Sequence, residues 1–274
     1  MEVLEKDIVV VKVGTSTLTE KQADGRESLD RSAFRRIGTQ LMGLREAGYG
    51  TVLVSSAAIT AGMAITGQSA RPSRATHMHE LQRLASIGQR HILNAWAEAS
   101  PGSTIGELLL TRHELDLASE RDELLTVTHT LLTHGDIAIA NENDSIAHEE
   151  IAFGDNDTLA ATFAACIGRS ALFGGQVRLV LLTDVDGVYA DKDDPSSIIR
   201  QIDDIDAYEQ LAGGAGSANG TGGMVTKFAA ARIAMEHGIP MWIANGKTED
   251  VIQLALRGEA GTGFGVGAAD VSVD

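Results

Sequence analysis

The run Ile8-Val9-Val10-Val11-Lys12-Val13-Gly14-Thr15-Ser16 carries the most information about the fold. Its four leading residues are apolar without alternation, so no face is left for water. Such a run reads as a strand buried on both sides, as in a parallel sheet. At its carboxyl end the apolar residues give way to a lysine, a glycine and two hydroxyls. Ligands of open α/β sheets bind outside the carboxyl ends of the strands. Gly14 lets a backbone approach an anion, Thr15 and Ser16 bring hydroxyl donors, and Lys12 brings a point charge. An ordinary β-to-α turn with a solvated lysine would have the same letters.

Working outward, the pattern recurs. Residues 51–54 read as a strand ending in Ser55-Ser56-Ala57-Ala58, and 105–110 as a further strand. Residues 137–140 lead into Asn141-Glu142-Asn143-Asp144, and 177–182 into Thr183-Asp184. Residues 241–244 form a last apolar run. Between them lie helical stretches. Asp30 can cap a helix that carries Phe34, Ile37, Leu41 and Leu44 on one face, with Gly48 as its stop. Further helices are expected over 80–97, 120–133, 158–167, 205–212, 226–237 and 248–256. Strands alternating with helices predict an α/β fold with a parallel sheet covered on both faces. There is no internal repeat. The weakest seam, 168–175, divides the chain into lobes 1–168 and 169–274 that share one sheet.

Two further segments have chemical character. Asn219-Gly220-Thr221-Gly222-Gly223-Met224-Val225-Thr226-Lys227 opens a helix, and 213–223 holds six glycines. Successive N–H groups at a helix start make an anion site. A lysine in a first helical turn opposes the helix dipole unless an anion is near. A flexible surface loop is the plain alternative. Asn141-Glu142-Asn143-Asp144 and Gly154-Asp155-Asn156-Asp157 flank a polar excursion. Carboxamides with carboxylates can hold an ammonium, position a lysine or ligate Mg²⁺. A solvated, turn-rich hairpin would look alike.

Other signals fail. Gly246-Lys247-Thr248 ends like a P-loop, but Met241 stands where its first glycine belongs. Gly263, Gly265 and Ala268 match a dinucleotide pattern too near the end for a βαβ unit. His77 and His79 lack a third ligand at a metal spacing, so no metal-binding residue is assigned. Cys166 lies on an apolar helical face and reads as structural.

The 274 residues include 22 Lys and Arg against 38 Asp and Glu, a net charge of −16. No basic stripe is available to neutralise nucleic-acid phosphates or to dock on anionic lipid. A single cysteine excludes an intrachain disulfide and fits a reducing compartment. The acidic first residues do not make a signal peptide, and no apolar run nears the ~20 residues that span a bilayer. A cytoplasmic protein is expected.

Taken in order, Lys-Val-Gly-Thr-Ser, Val-Ser-Ser-Ala-Ala-Ile-Thr-Ala-Gly, Asn-Glu-Asn-Asp, Gly-Asp-Asn-Asp, Leu-Thr-Asp-Val-Asp-Gly-Val-Tyr and Gly-Thr-Gly-Gly-Met-Val-Thr-Lys resemble the amino acid kinase superfamily. Within it they are most similar to the glutamate 5-kinases. The resemblance covers about residues 8–263. It implies a three-layer αβα sandwich around a mainly parallel sheet, with an acceptor lobe (1–168) and a nucleotide lobe (169–274). It also implies transfer of a phosphoryl group from ATP, with Mg²⁺, to the γ-carboxylate of L-glutamate, a step of proline biosynthesis. Lys12 and Lys227 would contact the moving phosphoryl group, and Asp157 would position both. Ser56, Asp144 and Asn156 would bind glutamate. Lys12, Gly14, Thr183, Asp184 and the segment Thr221, Gly222, Gly223, Met224, Val225, Thr226, Lys227 would surround the nucleotide. The same resemblance implies a homodimer or homotetramer, proline as feedback inhibitor, and contact with glutamyl phosphate reductase.

Two departures stand out. Ala57 occupies a place where the family usually has glycine, so a positive φ there would strain the loop. The chain also ends at Asp274, too early for the C-terminal PUA domain of many bacterial members. A sister kinase with another acceptor, or a non-catalytic sensor of amino acid or nucleotide, are the alternative readings.

Overall fold

The structure is a computed structural model that describes residues 1–148, 155–208, 211 and 223–267. Its centre is an eight-stranded sheet. Along one edge-to-edge path the strands are β10 (Gln201–Ile202), β12 (Thr262–Phe264), β11 (Met241–Asn245), β7 (Val177–Thr183), β1 (Ile8–Val13), β4 (Gly50–Val54), β6 (Ile137–Glu142) and β5 (Ile105–Leu110). All neighbours are parallel except β11 and β12. Every residue of β1 is buried, as its unbroken apolar run requires. The chain fills the side of β1 that holds β4, β6 and β5, then returns to lay β7 on the other side. The β1–β7 boundary is therefore the point where strand order reverses, the usual ligand crevice of such sheets.

Alternate residues of each strand serve opposite cores. Val10, Val52, Val54, Leu179 and Leu181 face the layer of α5 (Arg112–Asp116), α6 (Ala118–Thr133), α7 (Asn156–Arg169) and α8 (Met224–Glu236). Val9, Val11, Leu53, Val180 and Leu182 face α2 (Arg31–Glu46), α4 (Met78–Ala99) and α9 (Val251–Leu256). This is the expected αβα sandwich.

Asp30 caps α2 through the N–H groups of Ser32 and Ala33, and Gly48 takes φ 94° just after its end. Besides α5, β10 and β12, several small elements escape the sequence pattern. These are α1 (Thr15–Leu18), the hairpin β2 (Thr19–Lys21) with β3 (Glu27–Leu29), α3 (Ala58–Thr66), and the hairpin β8 (Val188–Tyr189) with β9 (Ile198–Ile199). Helix α3 is apolar nearly all round, so no periodicity marks it. It lies against α4 so closely that a Cβ on Gly88 would overlap the Ala58 carbonyl, and one on Gly62 that of Leu84.

The helix expected over 205–212 is met by a 3₁₀ turn, Asp206–Tyr208, where the Asp204 carboxylate takes the Asp206 N–H, and by a helical Leu211. Residues 209, 210 and 212 of that stretch lie outside the described residues. Among the described residues no helix is long and apolar enough to cross a membrane.

Candidate active site

The carboxyl edge of the sheet gathers Lys12 from β1, Ser55 and Ser56 after β4, Asn141 and Glu142 from β6, and Thr183 from β7. Lys12 pairs in register with Val54 and Leu181, so it stands at the β1–β7 reversal. Lys12 and Lys227 are each 7% exposed and Asp157, in the first turn of α7, is 1% exposed. Lys12 Nζ lies 2.5 Å from Asp157 Oδ1 and Lys227 Nζ 3.3 Å from Asp157 Oδ2. Thr226 Oγ1 donates to the same Oδ2 at 2.9 Å. Burial by itself would raise the Asp157 carboxyl. The charges of Lys12 and Lys227, with the hydrogen bonds from Lys12 and Thr226, outweigh it and hold the group below its ordinary value. One carboxylate between two lysines leaves a buried centre with one net positive charge.

Gly14 has an extended backbone, so its glycine is not needed for φ. A Cβ there would come 3.6 Å from Lys12 Nζ, into the space beside the lysine head. The Gly14 N–H is spent on the Leu182 carbonyl. Thr183 is buried at the end of β7 and donates its hydroxyl to Asp184, which is exposed. In the glycine-rich segment Gly223 caps α8, Met224 is half-buried, and Val225 is exposed. Thr221 and Gly222 lie outside the described residues.

Asn156 is the hub of a second polar cluster. Its Nδ2 donates to the Ser55 carbonyl at 2.6 Å, to Asn141 Oδ1 at 2.9 Å and meets Ser56 Oγ at 3.0 Å. Its Oδ1 is buried with no partner among the described protein groups. An orphan of this kind costs about 1–3 kcal/mol unless a ligand supplies a donor. Ser55, fully buried, is fixed from behind by Trp96 Nε1 at 2.8 Å. Ala57 takes φ 78° and ψ 11°, so this loop does demand the left-handed conformation that the sequence made a concern. Among the described residues no side-chain hydrogen bond ties Asp144 to this cluster; Arg71 and Arg74 are the cations near it. Burial and the neighbouring Glu142 push its carboxyl up to about 6 against the pull of those arginines. Asp155 caps α7 through the Thr158 N–H at 2.8 Å, and burial raises it too.

The sequence pointed to Lys12, Asp157 and Lys227 and gave no sign of Gln89, whose Oε1 accepts from Asn141 Nδ2 at 2.8 Å, of Trp96 or of the Thr226–Asp157 bond. A glutamine or a tryptophan on an amphipathic helix carries no sign that it faces a site. His77 and His79 are exposed and bond to Thr76 and Gln82 respectively. Cys166 packs at the edge of the α7 core, where burial pushes its thiol up. Among the described residues no group of three His, Cys, Asp or Glu could hold a metal ion.

The sequence pattern of the Amino acid kinase family matches residues 7–245. The chain is 42% identical over 258 residues to a glutamate 5-kinase of Symbiobacterium thermophilum, covering 92% of each chain. It is 41% identical over 256 residues to a glutamate 5-kinase of Ectopseudomonas mendocina, covering 91% of this chain but 65% of that one. Among solved structures, an isopentenyl phosphate kinase superposes with a TM-score of 0.60 at 18% identity, covering 94% of this chain and 99% of that one. At that identity the likeness speaks for the fold.

Proposed function

The chain belongs to the amino acid kinase family, and on that premise we propose that it transfers the γ-phosphoryl group of ATP to the side-chain carboxylate of L-glutamate. The product is L-glutamyl 5-phosphate, and the step belongs to proline biosynthesis. The observation that carries this reading is the buried triad Lys12–Asp157–Lys227 at the strand-order reversal.

The chemistry asks for little more. A γ-carboxylate has a pKa of about 4.3, so the nucleophile is ionised at neutral pH and no general base is required. The obstacle is repulsion between that anion and the phosphoryl group. Two lysines held on one carboxylate present their charge without rearranging, the arrangement that stabilises charge developing in a transition state. Lys12 comes from the middle of the sheet and Lys227 from α8, so they can meet the phosphoryl oxygens from two directions. Asp157 prevents the lysines from repelling each other apart. Thr183, Asp184 and the segment from Thr221 to Lys227 form the nucleotide side. Ser56, Asn156 and Asp144 form the acceptor side.

Mg²⁺ would enter on the phosphates of ATP. The centre offers two cations and a carboxylate already engaged by both, and Mg²⁺ in such sites takes most of its ligands from phosphate and water. An acyl phosphate is labile, which favours transfer to glutamyl phosphate reductase. Inhibition by proline, a homodimeric or homotetrameric state and a cytoplasmic location complete the proposal.

The test is Mg²⁺-dependent ADP release from the purified chain with L-glutamate, N-acetylglutamate, aspartate, carbamate or no acceptor. Release with L-glutamate alone supports the assignment. Release with a different acceptor moves the specificity, and nucleotide binding without any release turns the reading toward a sensor.

A further inference from the structure

The side-chain amides behind the acceptor loop form a directed series. The Ser55 carbonyl can only accept, so the NH₂ of Asn156 must face it. The same NH₂ group donates to Asn141 Oδ1. Asn141 is thereby turned to present its own NH₂ to Gln89 Oε1, at 2.8 Å. Gln89, in the middle of α4, directs its NH₂ to the Glu107 carboxylate on β5, at 2.6 Å. A carboxylate is acceptor-only, so it fixes the outer end of the series as the Ser55 carbonyl fixes the inner end. The four side chains lie on four separate elements, β5, α4, β6 and α7. All of them agree on one consequence, which is that Asn156 Oδ1 is left buried and without a donor among the described protein groups.

We infer that Gln89 is a positioning residue for the acceptor site: acting through Asn141, it holds Asn156 with its carbonyl oxygen free, so that the site selects an acceptor carrying an N–H donor. In L-glutamate that donor is the α-ammonium group. The inference rests on the acceptor assignment made above, and it adds a specificity device to it. Were Asn141 to turn over, its NH₂ would oppose that of Asn156, and the buried oxygen would lose its fixed direction.

The test compares L-glutamate with glutarate, which has the same γ-carboxylate and no ammonium. Gln89→Met keeps the volume and removes both hydrogen bonds. The expected result is a KM for L-glutamate raised about three- to tenfold, the scale of one or two weakened hydrogen bonds. The KM for ATP stays at its wild-type value, and the preference for L-glutamate over glutarate shrinks. A double variant, Gln89→Glu with Glu107→Gln, preserves the direction of the series. The carboxylate now on α4 accepts from Asn141, and the amide now on β5 donates to that carboxylate. This double variant should bring the KM back to within about twofold of wild type. An unchanged KM in Gln89→Met overturns the inference. So does a double variant no better than Gln89→Met, since a packing role would not respond to hydrogen-bond direction. If the wild type turns over no L-glutamate, the acceptor assignment falls, and the series is read by NMR from the Asn141 NH₂ protons. These exchange slowly in the wild type and quickly in Gln89→Met if the relay exists; equal exchange in the two proteins sinks it.

Discussion

At the scale of single residues the site rests on charge and on one strained backbone. Lys227→Ala removes one of two preorganised charges and should lower kcat roughly 10²–10³-fold, the scale of losing one such donor. Lys227→Arg should also be poor, because a planar fork does not replace a point charge. A near-wild-type kcat for Lys227→Ala, in steady-state ADP release, removes Lys227 from the mechanism, and one for Lys227→Arg shows that any cation at that place suffices. Ala57 sits at φ 78°, a conformation costing a residue with a Cβ about 1–2 kcal/mol. Ala57→Gly should therefore stabilise the fold by up to about 1 kcal/mol once the greater freedom of unfolded glycine is subtracted. Urea unfolding reads the difference, and a destabilised variant would show that the Ala57 methyl packs better than its backbone suffers. Asp144, pushed up to about 6, is neutral below that pH and charged above it. An ammonium needs the charged form, so kcat/KM for L-glutamate should fall as pH drops through about 6, and Asp144→Asn should flatten that limb. Lys12 and Lys227 were legible in sequence because each stands beside glycines, at a strand end and in a first helical turn where only a nearby anion offsets the helix dipole, whereas Asp157 was legible only through the family resemblance. Gln89 and Trp96 were not, because their helices give them other plain reasons to exist.

At the scale of elements, what was legible follows from length and periodicity. The six long strands are β-branched or apolar runs with polar ends, and each was placed to within a few residues. The end of β6 ran further than its apolar core, taking in Asn141 and Glu142, since pairing with β5 continues through Leu110. The hairpins β2–β3 and β8–β9 are too short to show alternation. Helix α3 hid because it is enclosed: Ala58, Ile59, Thr60, Ala61 and Gly62 are all buried. Its placement depends on the crossing with α4, where Gly62 and Gly88 let two backbones touch. Gly88→Ala must push the helices apart. The expected loss is about 1–3 kcal/mol, as for overpacking a core, and it should reach the site because α3 begins at the Ser56–Ala57 loop. Urea unfolding together with the KM for L-glutamate checks both; a stable variant with an unaltered KM would mean that α3 yields without moving the loop.

At the scale of the molecule, Asp157 links the two halves of the chain, joining β1 of the first to α8 of the second. That pair of ion pairs is a structural clasp whatever its part in the proposed transfer, and its charge is read out by pH. The folded pKa of Asp157 lies below the unfolded value of about 3.9. The charged clasp therefore stabilises fully above that unfolded value and is lost as pH falls through the folded one. Asp157→Asn keeps the shape and drops the charge, leaving two buried lysines without a counter-ion. Breaking a buried pair this way costs about 3–5 kcal/mol. The stability gap between wild type and Asp157→Asn should be widest at neutral pH and should narrow once the pH falls below the unfolded value, where the carboxylate of the unfolded wild-type chain begins to protonate while the folded one stays charged. ATP contributes the missing negative charge, so saturating nucleotide should restore more stability to the variant than to the wild type. Unfolding curves at several pH values, with and without ATP, test both statements. A gap independent of pH would show that the amide substitution fails for reasons of packing. Equal stabilisation by ATP in both proteins would show that the nucleotide phosphates do not reach the two lysines.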